Sequence, residues 1–388
     1  MWWGTPACAG EWEYEASVAA ELRVFPDDPL FPEQRDATVS PSISIEPAIR
    51  YTWNDGLDRL TLAPFARYDA YDEERTHVDV REASWRHIAG AWDFVVGASK
   101  VFWGVTESVH LVDIVNQTDL VEDVDGEDKL GQPMAAANLT TEWGRFGAFV
   151  MPYFRERTFP ERRARLRGVL PIAHEDARYE ADAGRFHPDI ALRYARSVGG
   201  LDVGLGYFRG TGREPRLVPE VRGGSLVAVP HYDLIDQGSI DAQYTVGGWL
   251  LKLEALARGG QGRTFAALVG GFEYTFFNVF GSDVDVGLLA EYLRDGRDST
   301  APETPFEDDV FVGARLALND VHDTHLLVGA IVDRGDGGTF VSLEFERRLS
   351  NVWKVELEGR FFANVAPSDP VYGLRRDDHV KLRLLRYF

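Results

Sequence analysis

Hydrophobic and polar residues alternate one by one over long stretches of this chain. Trp249, Leu251, Leu253, Ala255 and Ala257 form one row, and Leu250, Lys252, Glu254, Leu256 and Arg258 the other. Val284, Val286, Leu288, Ala290 and Tyr292 alternate with Asp283, Asp285, Gly287 and Glu291. The same holds for Trp353, Val355, Leu357 and Phe361 against Lys354, Glu356, Glu358 and Arg360, and for Tyr14 to Val24 against Glu13 to Arg23. A period of two puts each row on its own face of a strand. The runs reach about ten residues or more, the length a tilted strand needs to cross a bilayer, against about five or six in soluble sheets.

The final stretch, Val380 to Phe388, is built alike: Val380, Leu382 and Leu384 alternate with Lys381 and Arg383, and the last residue is aromatic. It looks like the closing strand of a bacterial outer-membrane barrel, with Arg386 where such strands usually carry an apolar residue. Turn signals divide the chain further. Short turns fall at Asn54-Asp55-Gly56, Ala89-Gly90, Gly144-Arg145, Gly199-Gly200, Gly247-Gly248, Gly281-Ser282, Val321 to Asp323 and Ser350-Asn351. Longer, charged or proline-containing connections lie between them, at about 26–38, 72–76, 104–132, 157–187, 210–231, 259–264, 297–307, 334–338 and 366–376. Eight turns and nine loops predict an all-β chain of about 18 strands, with 16 or 20 as neighbouring counts: one antiparallel transmembrane barrel with short periplasmic turns and long outer loops.

Tryptophan supports this. Trp12, Trp53, Trp92, Trp143, Trp249 and Trp353 lie beside short turns or at the start of the first strand, joined by Phe280 and Phe388. One belt at one interface is where amphipathic rings settle. A soluble sandwich would use Trp as core instead, and a propeller, whose blade length the roughly 40-residue hairpin period resembles, has shorter strands.

Composition fits a barrel. The 388 residues are 45% hydrophobic with a net charge of -21; mean hydropathy is -0.23. No run of about 18 apolar residues exists for a membrane-spanning helix. The negative balance disfavours nucleic acid as a partner. The single cysteine is Cys8. Ala7-Cys8-Ala9 fits a small-x-small cleavage site, so residues 1–9 read either as a signal-peptide remnant or as a plain N-terminus, with 10–388 as the barrel.

One stretch is more distinctive. REASW (Arg81 to Trp85), GASKVFWG (Gly97 to Gly104), ESVHLVDIVNQTD, GEDKLGQPM and FRERTFP (Phe154 to Pro160) resemble an uncharacterised porin-like outer-membrane family of proteobacteria. The resemblance covers roughly 78–160 and implies an outer-membrane barrel in lipid and lipopolysaccharide, inserted by the barrel-assembly machinery. It supplies no substrate.

Within it, the segment 104–132 carries an apolar stretch (Leu111, Val112, Ile114, Val115) and then the acids Asp119, Glu122, Asp123, Asp125, Glu127 and Asp128. Apolar residues on a loop of a wet barrel need cover. The segment either folds into the lumen as a constriction or packs outside as a cover. Asp123, Asp125 and Glu127 are the one Ca²⁺ candidate, with Val121 in the place of a first ligand; a solvated acidic run is the alternative, and no other cofactor is expected. Arg155 and Arg157 point toward the lumen near the outer mouth, able to pair with these acids or to hold an anion. Arg81, Asp113, Asp119, Glu122, Asp123, Asp125, Arg155, Arg157 and Arg193 are therefore the pore candidates. Facing acidic and basic walls make a transverse field. His322 and His325 flank Asp323 without an evident third ligand, and no Ser/His/Asp spacing or nucleotide loop is present. The expectation is a non-enzymatic, porin-like channel for small polar or charged solutes. The alternatives are an occluded assembly barrel and an outer-membrane hydrolase.

Overall fold

The computed structural model describes residues 10–388; the expectation for 1–9 lies outside them. Eighteen strands form one sheet. Its first strand, Glu11–Val24, pairs antiparallel with its last, His379–Tyr387, so the sheet closes. Closure leaves no unpaired strand edge, the condition for a sheet in a bilayer.

Alternation becomes two faces. Leu251, Leu253, Leu288 and Leu382 are exposed on the outside, while Lys252, Glu254, Glu291 and Lys381 between them are buried inside. This is a lipid face and a lumen face.

The short turns share one end. At Gly199-Gly200, the first glycine has φ +60° and a Cβ on the second would lie 2.3 Å from the Thr245 carbonyl oxygen. The doublet thus satisfies a left-handed turn and a close backbone approach together. Rings band this end: Trp12 lies 4.5 Å from Tyr51 and Trp249 4.6 Å from Tyr274, centroid to centroid. Arg386 belongs to the same band. Its guanidinium lies 5.5 Å from the Trp353 ring and 4.7 Å from that of Phe388, which accounts for a charge in an apolar row.

The outer loops differ from expectation at two places. Strands Trp249–Gly260 and Gly262–Phe276 are joined by Gln261 alone, not by a 259–264 loop, because Gly260 and Gly262 both take positive φ. The long connection before Leu234 carries its own hairpin, Arg216–Arg222 with Ser225–Tyr232. The interior has two halves. Near the short turns the lumen is wet, with the Glu13 and Glu15 side chains 60% and 63% exposed. In the outer half most inward side chains are buried.

Candidate functional site

What buries the outer half is the chain between strands Trp92–Ser99 and Gln132–Thr141, which lies inside the barrel. Two carboxylates on the wall catch its backbone. Glu254 accepts hydrogen bonds from the amides of Val105 (2.6 Å), Thr106 (3.0 Å) and Val112 (3.1 Å) and from the Thr106 hydroxyl (2.7 Å). Glu291 accepts from the amides of Glu107 and Ser108, both at 2.8 Å, and from the Ser108 hydroxyl at 2.6 Å. Gly104 permits this approach: a Cβ there would lie 2.9 Å from Glu254 Oε1, at φ +147°.

The apolar stretch divides between two patches of lumen wall. Val112, Ile114 and Val115 pack with Met134, Phe149, Ala191, Phe208 and Ile235. Val109 and Leu111 pack against Val269, Leu289, Leu293, Phe311 and Ile331. Fully burying such a side chain stabilises by about 1.5–3 kcal/mol.

The acidic run meets cations from four strands. Asp119 accepts from Arg81 at 2.6 Å and from the Thr158 hydroxyl at 2.7 Å. Glu122 takes the Arg67 fork, with Nε and Nη2 at 3.0 and 2.7 Å from Oε2. Asp123 binds Lys381, and Asp125 binds Arg360 at 2.8 Å. Arg81 reaches Asp119 because it is the extra residue of a bulge opposite Ala63-Pro64; a bulge re-aims a side chain, and Pro64 has no N–H to lose from the ladder.

These contacts tell against Ca²⁺ at Asp123, Asp125 and Glu127. The Lys381 ammonium sits between Asp123 and Glu358 (2.6 Å), and Arg360 occupies Asp125, so fixed side-chain cations already balance the charge. Glu127 stands apart and carries no ion pair among the described residues. Enclosure in the barrel, with Asp125 and Glu344 nearby, raises its pKa to about 7. Asp128 is raised to about 6, by burial and then by Glu122, Asp125 and Asp123. At the short-turn end, Glu346 joins Asp323 and His325 within 4.8 Å, a third potential ligand that sequence spacing missed; Lys354 holds it at 2.5 Å.

Between the segment and the wall lies a cavity of about 480 Å³. Asp113, Asp125, Glu127 and Arg157 line it; Arg81, Asp119, Glu122, Asp123, Arg155 and Arg193 do not. Arg155 pairs with Asp79 (2.7 Å), and Arg193 with Asp241 (2.6 Å) over the Trp103 ring. One wall of the cavity gathers Arg157, Arg258 and Arg297 around Glu214, which accepts from Arg258 at 2.7 Å and Arg297 at 3.2 Å. Burial opposes the Glu214 charge, yet Arg297, Arg258 and Arg157 outweigh it and hold its carboxyl far below the usual range. Arg157 has no ion pair among the described residues; its side chain donates to Gln117 Oε1 at 3.5 Å. Residues of four separate strands and loops form this wall, which sequence spacing alone could not gather.

No protein-family model and no curated protein matches the chain. Solved structures do resemble it. Wzi of Escherichia coli, described as an outer-membrane protein involved in group 1 capsule assembly and a carbohydrate-binding β-barrel, aligns over 95% of this chain and 83% of its own, at 10% identity and TM-score 0.54. OpdQ of Pseudomonas aeruginosa aligns over 98% of this chain and 97% of its own, at 10% identity and TM-score 0.52. At these identities the likeness is one of fold: the chain is a closed barrel of the outer-membrane type.

Proposed function

We infer that this protein is a solute-selective channel of the outer membrane. Solute would move by diffusion past the inward segment, along the wall between strands Asp308–Ala317 and Trp353–Ala363. The observation that carries the reading is the cavity of about 480 Å³ left between segment and wall, of a size for small solutes, above a wet lumen on the short-turn side. Its basic and acidic linings supply the transverse field that orders polar solutes in a narrow passage. The residues are binding and steering groups, and the reading includes no catalytic step.

A second reading has support of its own. Seven hydrogen bonds to Glu254 and Glu291, and the ion pairs of the acidic run, tie the segment to the wall. Such a barrel would be occluded and act as a binding or assembly partner; Wzi, which shares the fold, is described as carbohydrate-binding and involved in capsule assembly. Planar-bilayer recording separates the two. The channel reading expects discrete conductance steps in KCl that grow when residues 111–128 are replaced by a short glycine-serine linker. Silence from both proteins, each correctly folded, would reject it in favour of the occluded barrel.

A further inference from the structure

The cavity has an uneven charge pattern. Its basic wall holds Arg157, Arg258 and Arg297 against Glu214, with Asp295 on Arg297 at 2.7 Å. Pairing leaves one cation over, Arg157. The opposite lining holds a carboxylate surplus. Asp309 and Asp333 face each other directly across adjacent strands. Like charges in that register repel unless something sits between them. Asp309 is only 2% exposed and accepts one hydrogen bond, from the Asp308 amide at 3.1 Å. Arg294 and Arg334, the nearby cations, are both drawn to Asp308. Among the described residues no cation pairs with Asp309 or Asp333. Asp369 adds to the surplus: burial, then Asp336 and Asp333, raise its pKa. A buried carboxylate without a counterion is costly, and the cost falls when a cation arrives.

Between the two poles the wall is apolar. Leu293 stands beside Asp309 in the register, with Leu111, Val269, Phe311 and Ile331 around it. Strand Trp249–Gly260, which carries Arg258, lies three strands from Asp308–Ala317. The register runs Glu254, Val269, Leu293, Asp309, so Arg258 also stands four residues further along its strand; at about 4.8 Å per strand and about 3.3 Å per residue the two are rooted about 19 Å apart. Once the arginine and aspartate side chains reach toward each other, roughly 10 Å remains, the length of about three extended residues.

We propose that this cavity is a binding subsite for short apolar peptides, di- or tripeptides with aliphatic side chains. Their ammonium group lies between Asp309 and Asp333, their carboxylate on Arg157, and their side chains on the Leu111, Leu293 and Ile331 surface. The proposal deepens the channel reading, for which it names the solute class. A free inorganic ion would leave the apolar wall unused, and a neutral sugar would leave both poles unpaired.

The test uses the whole folded protein and four probes: Leu-Leu, N-acetyl-Leu-Leu, Leu-Leu amide and maltose. Calorimetry reports binding, and bilayer recording reports KCl current and its block. Leu-Leu is expected to bind and to interrupt the current. Capping either end should weaken binding at least tenfold, and maltose should bind more weakly than any peptide. Arg157→Gln should reduce Leu-Leu to the affinity of the amide while leaving the amide unchanged. Asp309→Asn should do the same for the acetylated peptide. Equal binding of capped and free peptides, or no peptide binding to the wild-type protein, overturns the subsite. The comparison among probes needs no variant, so a misfolded mutant cannot obscure it. The two readings also fail separately. KCl current without peptide binding removes the subsite and keeps the channel; calorimetric binding without any current keeps the subsite and removes the channel.

Discussion

Glu254 should decide whether the inward segment stays in place. It is fully buried and takes four hydrogen bonds from Val105, Thr106 and Val112. Glu254→Ala removes the acceptor for all four. A hydrogen bond to a charged group contributes about 1.5–3 kcal/mol, so four at the low end give about 6 kcal/mol. Water entering the vacated space would return roughly half, leaving about 3 kcal/mol, or a change of about 150-fold in the opening equilibrium at 1.36 kcal/mol per tenfold. Glu254→Gln keeps one oxygen acceptor and turns an N–H₂ toward donors, so its effect should fall below that of Ala by about half. Amide hydrogen exchange reads this directly. Protection at Val105, Thr106 and Val112 should drop by about two orders of magnitude in Glu254→Ala, while strand amides such as those of His379–Tyr387 keep theirs. In recordings, the same variant should show larger current fluctuations. Unchanged protection at those three amides would refute the reasoning, because it would mean that apolar packing, the Glu291 bonds and the ion pairs hold the segment without Glu254.

The other predictions concern the segment's pH response, the lipid face and the ionic anchors. Glu127 and Asp128 have pKa values raised to about 7 and about 6, so the folded segment binds more protons than a released one between about pH 4 and 7. Across that window its hold therefore weakens as pH rises through 7; exchange protection at Val112 should fall between pH 5 and 8, and Glu127→Gln should flatten the trend. Arg at Leu253 or Leu382, both exposed on the outer face, should impair assembly by about 2–4 kcal/mol near the midplane, whereas Arg at Glu13 in the wet lumen should be tolerated. Equal loss of the heat-modifiable form at all three sites would contradict the two-faced barrel. Asp119→Ala should destabilise by about 2–3 kcal/mol in denaturant titration, below the roughly 3–5 expected for an orphaned buried charge, because Arg81 retains Asp79 at 3.3 Å.

Much of the barrel was legible because its physics is local. A period of two needs no partner to be read, and glycine doublets announce their turns through φ and close approach, as at Gly199-Gly200. The strand number therefore followed from counting turns. Gln261 was misread because a one-residue connection depends on two positive-φ glycines whose neighbours look like ordinary loop. The site was less legible. The apolar stretch Leu111 to Val115 signalled a need for cover, and the acids after it a need for cations. Which wall would cover it, and which cations would answer, depended on closure of the barrel. Arg155 and Arg157 are two residues apart, yet one pairs with Asp79 and the other faces the cavity. Glu254 and Glu291 sit in rows where acids are common, and nothing in the spacing marks them as the holders of a backbone 140 or more residues earlier.

The lumen wall is divided by chemistry, and this division explains the segment's course. Strands Val39–Trp53, Asp58–Asp69 and His379–Tyr387 present Ser42, Arg67 and Lys381, and there the acidic run settles. Strands Gly262–Phe276 to His325–Asp333 present Val269, Leu293, Phe311 and Ile331, and there Val109 and Leu111 settle, while Val112, Ile114 and Val115 settle on the second apolar patch around Phe149 and Phe208. Swapping the two would bury carboxylates against hydrocarbon and valines against guanidinium groups, each opposed by several kcal/mol. The segment can therefore lie in one direction only. The cavity forms where the wall changes from one character to the other, so that apolar, basic and acidic side chains meet around one space. A rearrangement that opened the passage further need not release the whole segment. The Leu111 end is held by apolar burial and by the flanking hydrogen bonds to Glu254 and Glu291, while the Asp119 to Asp125 end is held by ion pairs to Arg81, Arg67, Lys381 and Arg360. Exchange at Leu111 and Val109 should thus respond to solutes that fill the cavity, and exchange at Glu122 and Asp123 should not. Protection that changed in concert at both ends would show a segment moving as one body.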